Sequence, residues 1–318
     1  MKISIIGGVF STEVLLKKLL VNNFKNITVF GYEPKKIQNV SGWIDLKLHK
    51  KNFNFQYISF CKISEIEKKL ITIQPDLIFA VGLSQILPNS IINIPKLGCI
   101  GFHPTDLPKG RGRAPIAWTI LENKKKTAIT FFRINEGVDD GKIISQVFID
   151  LTSEDDADSL TKKVLNAEEK ALDEIILMIK KKKLNFKEQD EKFATYYGKR
   201  NPEDGIICWN NNISEIDRLI KASTNPHPGA YTFSENEKVI IWKAKIYEKK
   251  LKGVVGRILE IYENNSFVVQ AKDGLIKVTK WESENWLPKV GLMLGYNIQE
   301  ELFRIKKELY SIKKFLNT

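Results

Sequence analysis

The chain has 318 residues, a formal net charge of +12, 43% apolar and 28% charged residues. This length allows two domains, and the composition predicts a soluble globular protein, not a disordered or fibrous one. No apolar run reaches the ~18 residues of a membrane span, and Cys61, Cys99 and Cys208 lack the number and spacing of a disulfide framework or a zinc site. We therefore expect a cytoplasmic protein that uses neither membrane nor metal.

The first half of the chain alternates predicted strands and helices. Strands are predicted at residues 2–7, 26–32, 76–82, 97–102, 127–134 and 142–149, and helices at 12–20, 63–73 and 115–121. A long helix follows to about residue 181, with Ser153 as its expected cap. This alternation predicts an α/β fold with a doubly wound, mostly parallel sheet. The first turn, residues 7–11, lacks the G-x-G-x-x-G spacing, which argues against a bound NAD.

The second half changes to short strands. A polar connector at 187–205 precedes a predicted helix at 214–222 and strands at 239–247, 253–262, 266–271 and 275–281. Such a series predicts a small OB-like β-barrel. We therefore expect a first domain at 1–186, a linker at 187–205 and a C-terminal domain at 206–318.

Near the end of the chain, apolar residues recur in alternating steps of four and three. This heptad stripe consists of Ile298, Leu302, Ile305, Leu309, Ile312 and Leu316. It predicts a terminal helix that packs on the chain's own barrel. The alternative is a helix that pairs two subunits in a homodimer.

A histidine and an aspartate follow two successive predicted strands. His103 follows strand 97–102 in a Gly/Pro-rich loop, and Asp139 lies 36 residues further on, after strand 127–134. The carboxyl edge of a parallel sheet is where open α/β folds bind ligands. A carboxylate beside an imidazole fixes its tautomer and makes it a usable general acid or base. We therefore expect His103 and Asp139 to meet at this edge.

Several motifs surround these two residues. Ile-Leu-Pro stands at 86–88, Leu-Gly-Cys-Ile-Gly-Phe-His-Pro at 97–104, Leu-Pro-Lys-Gly-Arg-Gly-Arg-Ala-Pro-Ile at 107–116 and Val-Asp-Asp-Gly-Lys-Ile-Ile-Ser-Gln at 138–146. With 197–204 and 226–230, they resemble the N10-formyltetrahydrofolate-dependent formyltransferases over nearly the whole chain. The likeness is to the branch that holds methionyl-tRNA formyltransferases and nucleotide-linked amino-sugar N-formyltransferases, including the bacterial 4-amino-4-deoxy-arabinose enzyme.

The resemblance implies a role for individual residues. His103 is implied as the catalytic histidine and Asp139 as its carboxylate partner. The residues implied at the folate site are Gln85, Ile86 and Leu87, whose backbone would hold the pterin, Asn135, Glu136, Gly137 and Val138 on its other wall, and Arg113. N10-formyltetrahydrofolate is the implied co-substrate, and no metal is implied.

The chain departs from the family pattern at Gly101, where the family usually has an asparagine that stabilises the tetrahedral oxyanion. Another donor could replace that amide, such as a backbone N–H, an ordered water or the Thr105 hydroxyl. The alternatives are a protonated His103 acting alone and an inactive relative. A second departure is His227, in a turn where the family often has tryptophan, and we interpret this turn as structural.

Three functions remain open from the sequence. The first is formyl transfer to a nucleotide-diphosphate amino sugar in surface-glycan or lipopolysaccharide synthesis. It is favoured because residues 33–54 lack the Gly-rich basic insertion of the tRNA enzymes, and because Arg113 matches the Gly-Arg-Ala-Pro of the sugar branch. The second is methionyl-tRNA formylation. The third is nucleic-acid binding by an inactive domain, which Gly101 and the net charge favour, although dispersed lysines are more typical of a solvated surface.

Overall fold

The computed structural model describes residues 1–37, 40–83, 85–296 and 298–316. The chain divides into two compact units, Met1–Arg200 and Asn201–Thr318. Residues 187–200, which we expected to form part of a linker, lie in the first unit. Among the described residues, no helix is both long enough and apolar enough to cross a membrane.

The first unit is built on a seven-stranded sheet in the order β3-β2-β1-β4-β5-β7-β8. Its strands, with two short ones outside this sheet, are β1 (Lys2–Gly7), β2 (Asn26–Tyr32), β3 (Gln56–Phe60), β4 (Leu77–Ala80), β5 (Cys99–His103), β6 (Arg111–Gly112), β7 (Lys126–Arg133), β8 (Ile143–Asp150) and β9 (Tyr196–Tyr197). The pairs from β3 to β5 are parallel. All four residues of β4 are buried, as expected of a central strand covered on both faces. The predicted α/β fold with a mostly parallel sheet is confirmed.

Two details of this sheet differ from the sequence prediction. The edge strand β3 was not predicted, because it is short and most of its residues are only partly buried. The expected direction of β7 was also wrong. This strand runs antiparallel to β5, with Arg133 opposite Ile100 and Thr130 opposite His103. The chain therefore leaves β7 beside the beginning of β5, and the loop at 134–142 has to return toward His103.

The described part of the first unit contains five α-helices. They are α1 (Phe10–Val21), α2 (Glu67–Ile73), α3 (Asn89–Ile92), α4 (Pro115–Leu121) and α5 (Ala157–Lys180). The cap of α5 is Asp156, not Ser153, because the Asp156 carboxylate accepts a hydrogen bond from the Ser159 N–H at 2.9 Å. In turn, the Ser159 hydroxyl oxygen accepts a hydrogen bond from the Asp156 N–H, which completes a reciprocal capping box.

The second unit contains a five-stranded antiparallel sheet in the order β10-β11-β14-β13-β12. Its elements are α6 (Ile213–Ser223), β10 (Ala230–Ser234), β11 (Glu237–Tyr247), β12 (Ile258–Ile261), β13 (Phe267–Gln270), β14 (Leu275–Glu282) and α7 (Ile298–Leu316). Ile216 and Ile220 of α6 join the core of the sheet around Phe267 and Ile276. The predicted OB-like domain of short strands is confirmed, although β10 was not predicted.

The heptad stripe forms helix α7, but the expected packing on the barrel is not observed. Each of its six leucine and isoleucine side chains is at least half exposed. The apolar core of this unit contains side chains of α6 and the strands instead. The stripe on α7 therefore lies on the surface of the chain.

Candidate active site

His103 is the last residue of β5 and its side chain is buried. Its Nε2 lies 2.7 Å from the carbonyl oxygen of Gly110, and its Nδ1 lies 3.5 Å from Oδ2 of Asp139. A carbonyl can only accept a hydrogen bond, so Nε2 carries the proton in this contact. Both ring nitrogens face oxygen atoms, which fix the orientation of the ring. The structure thus brings together the two residues predicted to be catalytic.

Asp139 reaches His103 from the loop at 134–142. The backbone of Asp139 has a φ of +51°, in the left-handed region that non-glycine residues seldom occupy. Its Oδ2 atom also accepts a hydrogen bond from the Gly112 N–H at 2.8 Å. A Cβ on Gly112 would lie 2.5 Å from the Tyr197 carbonyl oxygen, so this close approach requires glycine. The carboxylate is therefore held between the histidine and a backbone amide.

Arg111 fixes the loop that carries these two backbone contacts. Its buried guanidinium donates to Oε1 of Gln189 at 2.8 Å, to both carboxylate oxygens of Glu191 at 2.5 and 3.0 Å, and to the Tyr196 hydroxyl at 2.9 Å. The hydrogen bond to Arg111 lowers the pKa of Glu191, and in turn the pKa of Arg111 is raised. These hydrogen bonds of the Arg111 guanidinium fork hold Gly110 and Gly112 beside His103 and Asp139.

The sequence indicated two loop arginines but not which of them is buried. Arg113 has an exposed side chain, while its backbone N–H donates to the Tyr197 carbonyl at 3.1 Å. The partners of Arg111 lie about 80 residues further along the chain, so local spacing contained no signal for them. The available signal was compositional, since Gln, Glu and two Tyr cluster in residues 189–197.

The space beside Gly101 is already filled. A Cβ on Gly101 would lie 2.9–3.0 Å from two ring atoms of Phe132 and 3.0 Å from Cγ1 of Ile134. The asparagine that the family pattern predicts at this position therefore does not fit unless Phe132 moves. Thr105 is buried nearby, and its hydroxyl lies 3.5 Å from the same Gly110 oxygen that contacts His103. A replacement oxyanion donor remains a prediction.

The two segments expected at the pterin are joined by a hydrogen bond. Asn89, at the start of α3 and directly after residues 85–88, donates to the Glu136 carboxylate at 2.6 Å. The Gln85 side chain accepts a hydrogen bond from the Ile63 N–H and donates one to the Cys61 carbonyl, each at 2.9 Å. Leu87 is buried in the core, so its side chain is not available to a ligand. Asn89 was not predicted, since the motif that we used ends at residue 88.

The surface formed by Ile86 and residues 135–138 suits a flat heterocycle with N–H donors. The side chain of Ile86 is 82% exposed and that of Val138, on the other segment, is 52% exposed. Exposed apolar side chains of this kind gain free energy when a ring covers them. Asn135, Glu136 and Gly137 are exposed with Val138. In addition, Oδ1 of Asp140 is buried and has no hydrogen-bond partner among the described residues, so it is an acceptor that a ligand could satisfy. These features fit the pterin of a folate.

A separate pocket of about 390 Å³ lies beside the His103 loop. It is lined by Lys109, Trp118, Glu122, Lys124, Thr195, Tyr196, Tyr197 and Gly198. The Trp118 and Tyr197 rings stack with centroids 5.7 Å apart, and the Lys124 ammonium lies 5.2 Å from the Tyr197 centroid. Burial, and a hydrogen bond to Glu122, raise the pKa of the Tyr197 hydroxyl. The pocket therefore offers aromatic surfaces and two cations next to Gly110.

In the described part of the chain, no three His, Cys, Asp or Glu residues are grouped as metal ligands. His227 lies in a turn in which its N–H donates to the Thr224 carbonyl at 3.0 Å.

Two family models match the chain. Residues 33–176 match the formyl transferase model, and residues 199–286 match the model of the formyl transferase C-terminal domain. A methionyl-tRNA formyltransferase of Thermodesulfovibrio yellowstonii is 35% identical over 211 residues, which cover 66% of this chain and 67% of that protein. The chain belongs to the formyltransferase family, whose members take their formyl group from N10-formyltetrahydrofolate.

Two further proteins are similar to this chain, one in sequence and one in fold. The bifunctional polymyxin resistance protein ArnA of Wigglesworthia glossinidia brevipalpis is 36% identical over 251 residues. These residues are 78% of this chain but only 37% of ArnA, so the chain spans little more than a third of that relative. The fold is shared with an N-formyltransferase of Helicobacter canadensis, solved with folinic acid and dTDP-3-aminofucose. The TM-score is 0.64 and the identity 19%, and the match covers 89% of this chain and all of the other.

Proposed function

We propose that this protein transfers a formyl group from N10-formyltetrahydrofolate to the amine of a nucleotide-linked amino sugar. The observation that carries the choice of acceptor is the small cationic and aromatic pocket beside the His103 loop. The proposed reaction would serve surface-glycan synthesis, such as that of lipopolysaccharide, and we expect it to take place in the cytoplasm.

The proposed chemistry centres on His103. In the reactive tautomer the ring proton lies on Nδ1, facing Asp139, so Nε2 is free to take the proton of the acceptor amine as that amine attacks the formyl carbon. The tetrahedral intermediate then collapses, the bond between the formyl carbon and the folate N10 breaks, and His103 returns the proton to the leaving nitrogen. Asp139 stabilises the resulting imidazolium, and the Gly112 N–H holds the carboxylate in place. N10-formyltetrahydrofolate supplies the formyl group. Its pterin would contact the surface formed by Ile86 and residues 135–138, with Asp140 as an acceptor.

The pocket matches the chemistry of a nucleoside diphosphate. Its volume of about 390 Å³ lies within the usual range of ~300–1,000 Å³ for small-molecule sites. Lys109 and Lys124 can pair with the diphosphate, and the Trp118 and Tyr197 rings offer a surface for the base. Lys109 pairs with Asp106 at 3.6 Å and Lys124 with Glu122 at 3.5 Å, so both ammonium groups are held at the pocket.

The pocket lies close to His103, the proposed base, because both contact Gly110. Thr195, one of the lining residues, accepts a hydrogen bond from the Gly110 N–H at 2.8 Å. The carbonyl of the same Gly110 contacts His103. One residue thus links the proposed nucleotide pocket to the proposed base. The Helicobacter canadensis enzyme, solved with a dTDP-linked amino sugar, supports this class of acceptor.

The second candidate is methionyl-tRNA formylation, which the 35% identical relative and the net charge of +12 favour. A tRNA enzyme neutralises several phosphates, so its apparent affinity falls steeply as salt increases. A nucleotide sugar makes few phosphate contacts and depends on salt weakly.

The test supplies N10-formyltetrahydrofolate with either UDP- and dTDP-amino sugars or methionyl-tRNA, and follows release of tetrahydrofolate. We expect turnover with an amino sugar and little dependence on salt. Efficient turnover of methionyl-tRNA, with no amino sugar accepted, would overturn the proposal. Turnover of neither acceptor, together with salt-dependent RNA binding, would favour a nucleic-acid-binding protein.

Substitutions test the pocket separately. Lys109→Met and Lys124→Met should each raise KM for the nucleotide sugar about tenfold, the scale of one lost hydrogen bond between charged groups. The KM for the folate should not change. The matched control is Lys170→Met, an exposed lysine on α5 outside the pocket, which should leave both constants unchanged. If all three variants behaved alike, the pocket would not be the nucleotide site.

A further inference from the structure

Helix α7 presents an apolar stripe that its own chain leaves largely uncovered. Its 19 residues run from Ile298 to Leu316, and the six stripe residues are 50–78% exposed. Isolated surface leucines are common, but a continuous exposed apolar stripe of this length usually marks an interaction site. The pattern of the stripe and the charges that flank it define what covers it.

The stripe follows a coiled-coil heptad without interruption. Steps of three residues lead from an a position to a d position, and steps of four lead from d to a. The a positions are therefore Leu302, Leu309 and Leu316, and the d positions are Ile298, Ile305 and Ile312. Every a residue is leucine and every d residue is isoleucine, so the seam contains no polar side chain.

The flanking charges select the direction of the partner helix. The first two g positions hold Glu301 and Glu308 and the third holds Phe315, while the e positions that follow the two glutamates are Lys306 and Lys313. In a parallel coiled coil, a g residue faces the e residue five positions further on in the neighbouring helix. Both such pairs, 301 with 306 and 308 with 313, unite opposite charges. In an antiparallel pair, g would face g and e would face e, which places like charges together.

These side chains remain accessible for pairing between helices. Glu301 bonds to Arg304 within its own helix at 2.8 Å, and this is an exposed pair of the kind that contributes little to stability. Lys306, Lys313 and Glu308 are exposed. The charge pattern therefore matches another copy of the same helix, since each copy provides both the acidic and the basic flank.

The choice of side chains indicates how many helices associate. Leucine at a with isoleucine at d favours three or four strands over two. Phe303 and Tyr310, at successive b positions beside the e flank, are 70% and 73% exposed. They extend the apolar surface beyond the a/d seam, and a bundle of more than two helices buries such flanks better than a pair does.

We propose that α7 joins copies of this chain into a parallel coiled coil of three or four strands. The occupant of the stripe is thus the same helix of other copies, arranged with cyclic symmetry. The proposal is independent of the acceptor substrate, because it rests only on the sequence and exposure of α7.

The first test measures the mass of the 318-residue chain in solution by sedimentation at micromolar concentration. The wild-type chain of 36.5 kDa should sediment as a trimer or tetramer. Ile305→Asp with Leu309→Asp should yield monomers, and Lys307→Asp, at the outward f position, should not. Because residues 305 and 309 are exposed in the single chain, the double variant should keep its circular dichroism spectrum. A monomeric wild type, or an oligomer that the seam variant leaves intact, would overturn the proposal.

The second test measures the direction of the helices. Leu302→Cys in a Cys208→Ser background should form an intermolecular disulfide between two 302 positions under mild oxidation, located by peptide mass mapping. The Cys208→Ser parent is the control. In an antiparallel pair the 302 positions would lie about 15 Å apart, from ten residues at 1.5 Å rise, and would not react. Absence of the 302–302 disulfide from an oligomeric protein would contradict the parallel arrangement.

Discussion

Replacing Gly101 by asparagine, the residue that the family pattern has at this position, should destabilise this protein. The added Cβ would lie 2.9–3.0 Å from the Phe132 ring and 3.0 Å from Ile134, whereas carbon atoms pack best at about 3.5–4.0 Å. Overpacking of a core typically costs about 1–3 kcal/mol. For a unit of about this size, each kcal/mol lowers Tm by about 2–4 °C. Gly101→Ala, which adds only the Cβ, should show a smaller part of the same loss.

Removing the Phe132 ring should relieve this clash. Phe132→Ala alone empties a buried position and should cost about 3–5 kcal/mol. In the double variant the asparagine fills part of that cavity, so the total loss should be smaller than the sum by at least about 1 kcal/mol. The free energies of unfolding are measured by urea titration of the single and double variants.

The control for this cycle is Phe131→Ala. Phe131 is also buried, but successive strand residues point to opposite faces of the sheet, so its ring lies away from Phe132. Combined with Gly101→Asn, it should give additive losses within about 0.5 kcal/mol. Additive losses for Phe132→Ala as well would refute the claim that the phenylalanine occupies the place of an asparagine side chain.

Three further predictions concern the loop, the proposed catalytic pair and a buried acid. His103→Asn and Asp139→Asn should each reduce kcat at least ~100-fold, and the double variant should be little worse, since the two act as one unit; full turnover by either folded single variant would contradict this. Arg111→Lys should lower the free energy of unfolding by about 1–2 kcal/mol and reduce kcat, because an ammonium cannot form the fork; an unchanged Tm and kcat would contradict it. Burial raises the pKa of Glu168 well above its usual range, so the folded state holds its proton more tightly and the contribution of Glu168 to the stability falls as pH rises above about 4.5. Glu168→Gln should flatten that fall in urea titrations across pH, and an unchanged slope would refute this.

Much of the fold could be predicted from local patterns. The strand Asn26–Tyr32 and the helix Pro115–Leu121 were predicted with the bounds that the structure shows, because each apolar run ends at clear turn or proline signals. The cap of α5 was misplaced by three residues, since Ser153, Asp155 and Asp156 are all competent caps and the sequence alone does not rank them. Strand direction was also missed. A hairpin and a crossover connection can follow the same strand pattern, so nothing local reveals that β7 reverses.

The candidate site divides in the same way. The contact of His103 with Asp139 was predicted, and it is observed. The expected reason was wrong, since β7 is antiparallel to β5 and ends at the opposite edge of the sheet, so the loop at 134–142 brings Asp139 back to His103. The role of Arg111 in holding the loop beside His103 was not predicted. Its partners are distant in sequence, and the sequence does not show which of the two loop arginines, Arg111 or Arg113, is buried. The filling of the Gly101 space by Phe132 depends on cross-strand register, which pairs these two residues directly. A single sequence provides no register for an unrecognised antiparallel pair.

The pairing of β6 with β9 has a consequence for synthesis of the chain. Gly110 and Arg111 donate backbone hydrogen bonds to Thr195, and Arg113 donates one to Tyr197. The loop beside His103 is thus held by residues translated long after it. At about 5–20 residues per second, the ribosome needs about 3–12 s to proceed from Asp139 to Arg200. During this interval both members of the pair have been made while the scaffold of their loop has not, so a nascent chain acquires its site only as the first unit is completed.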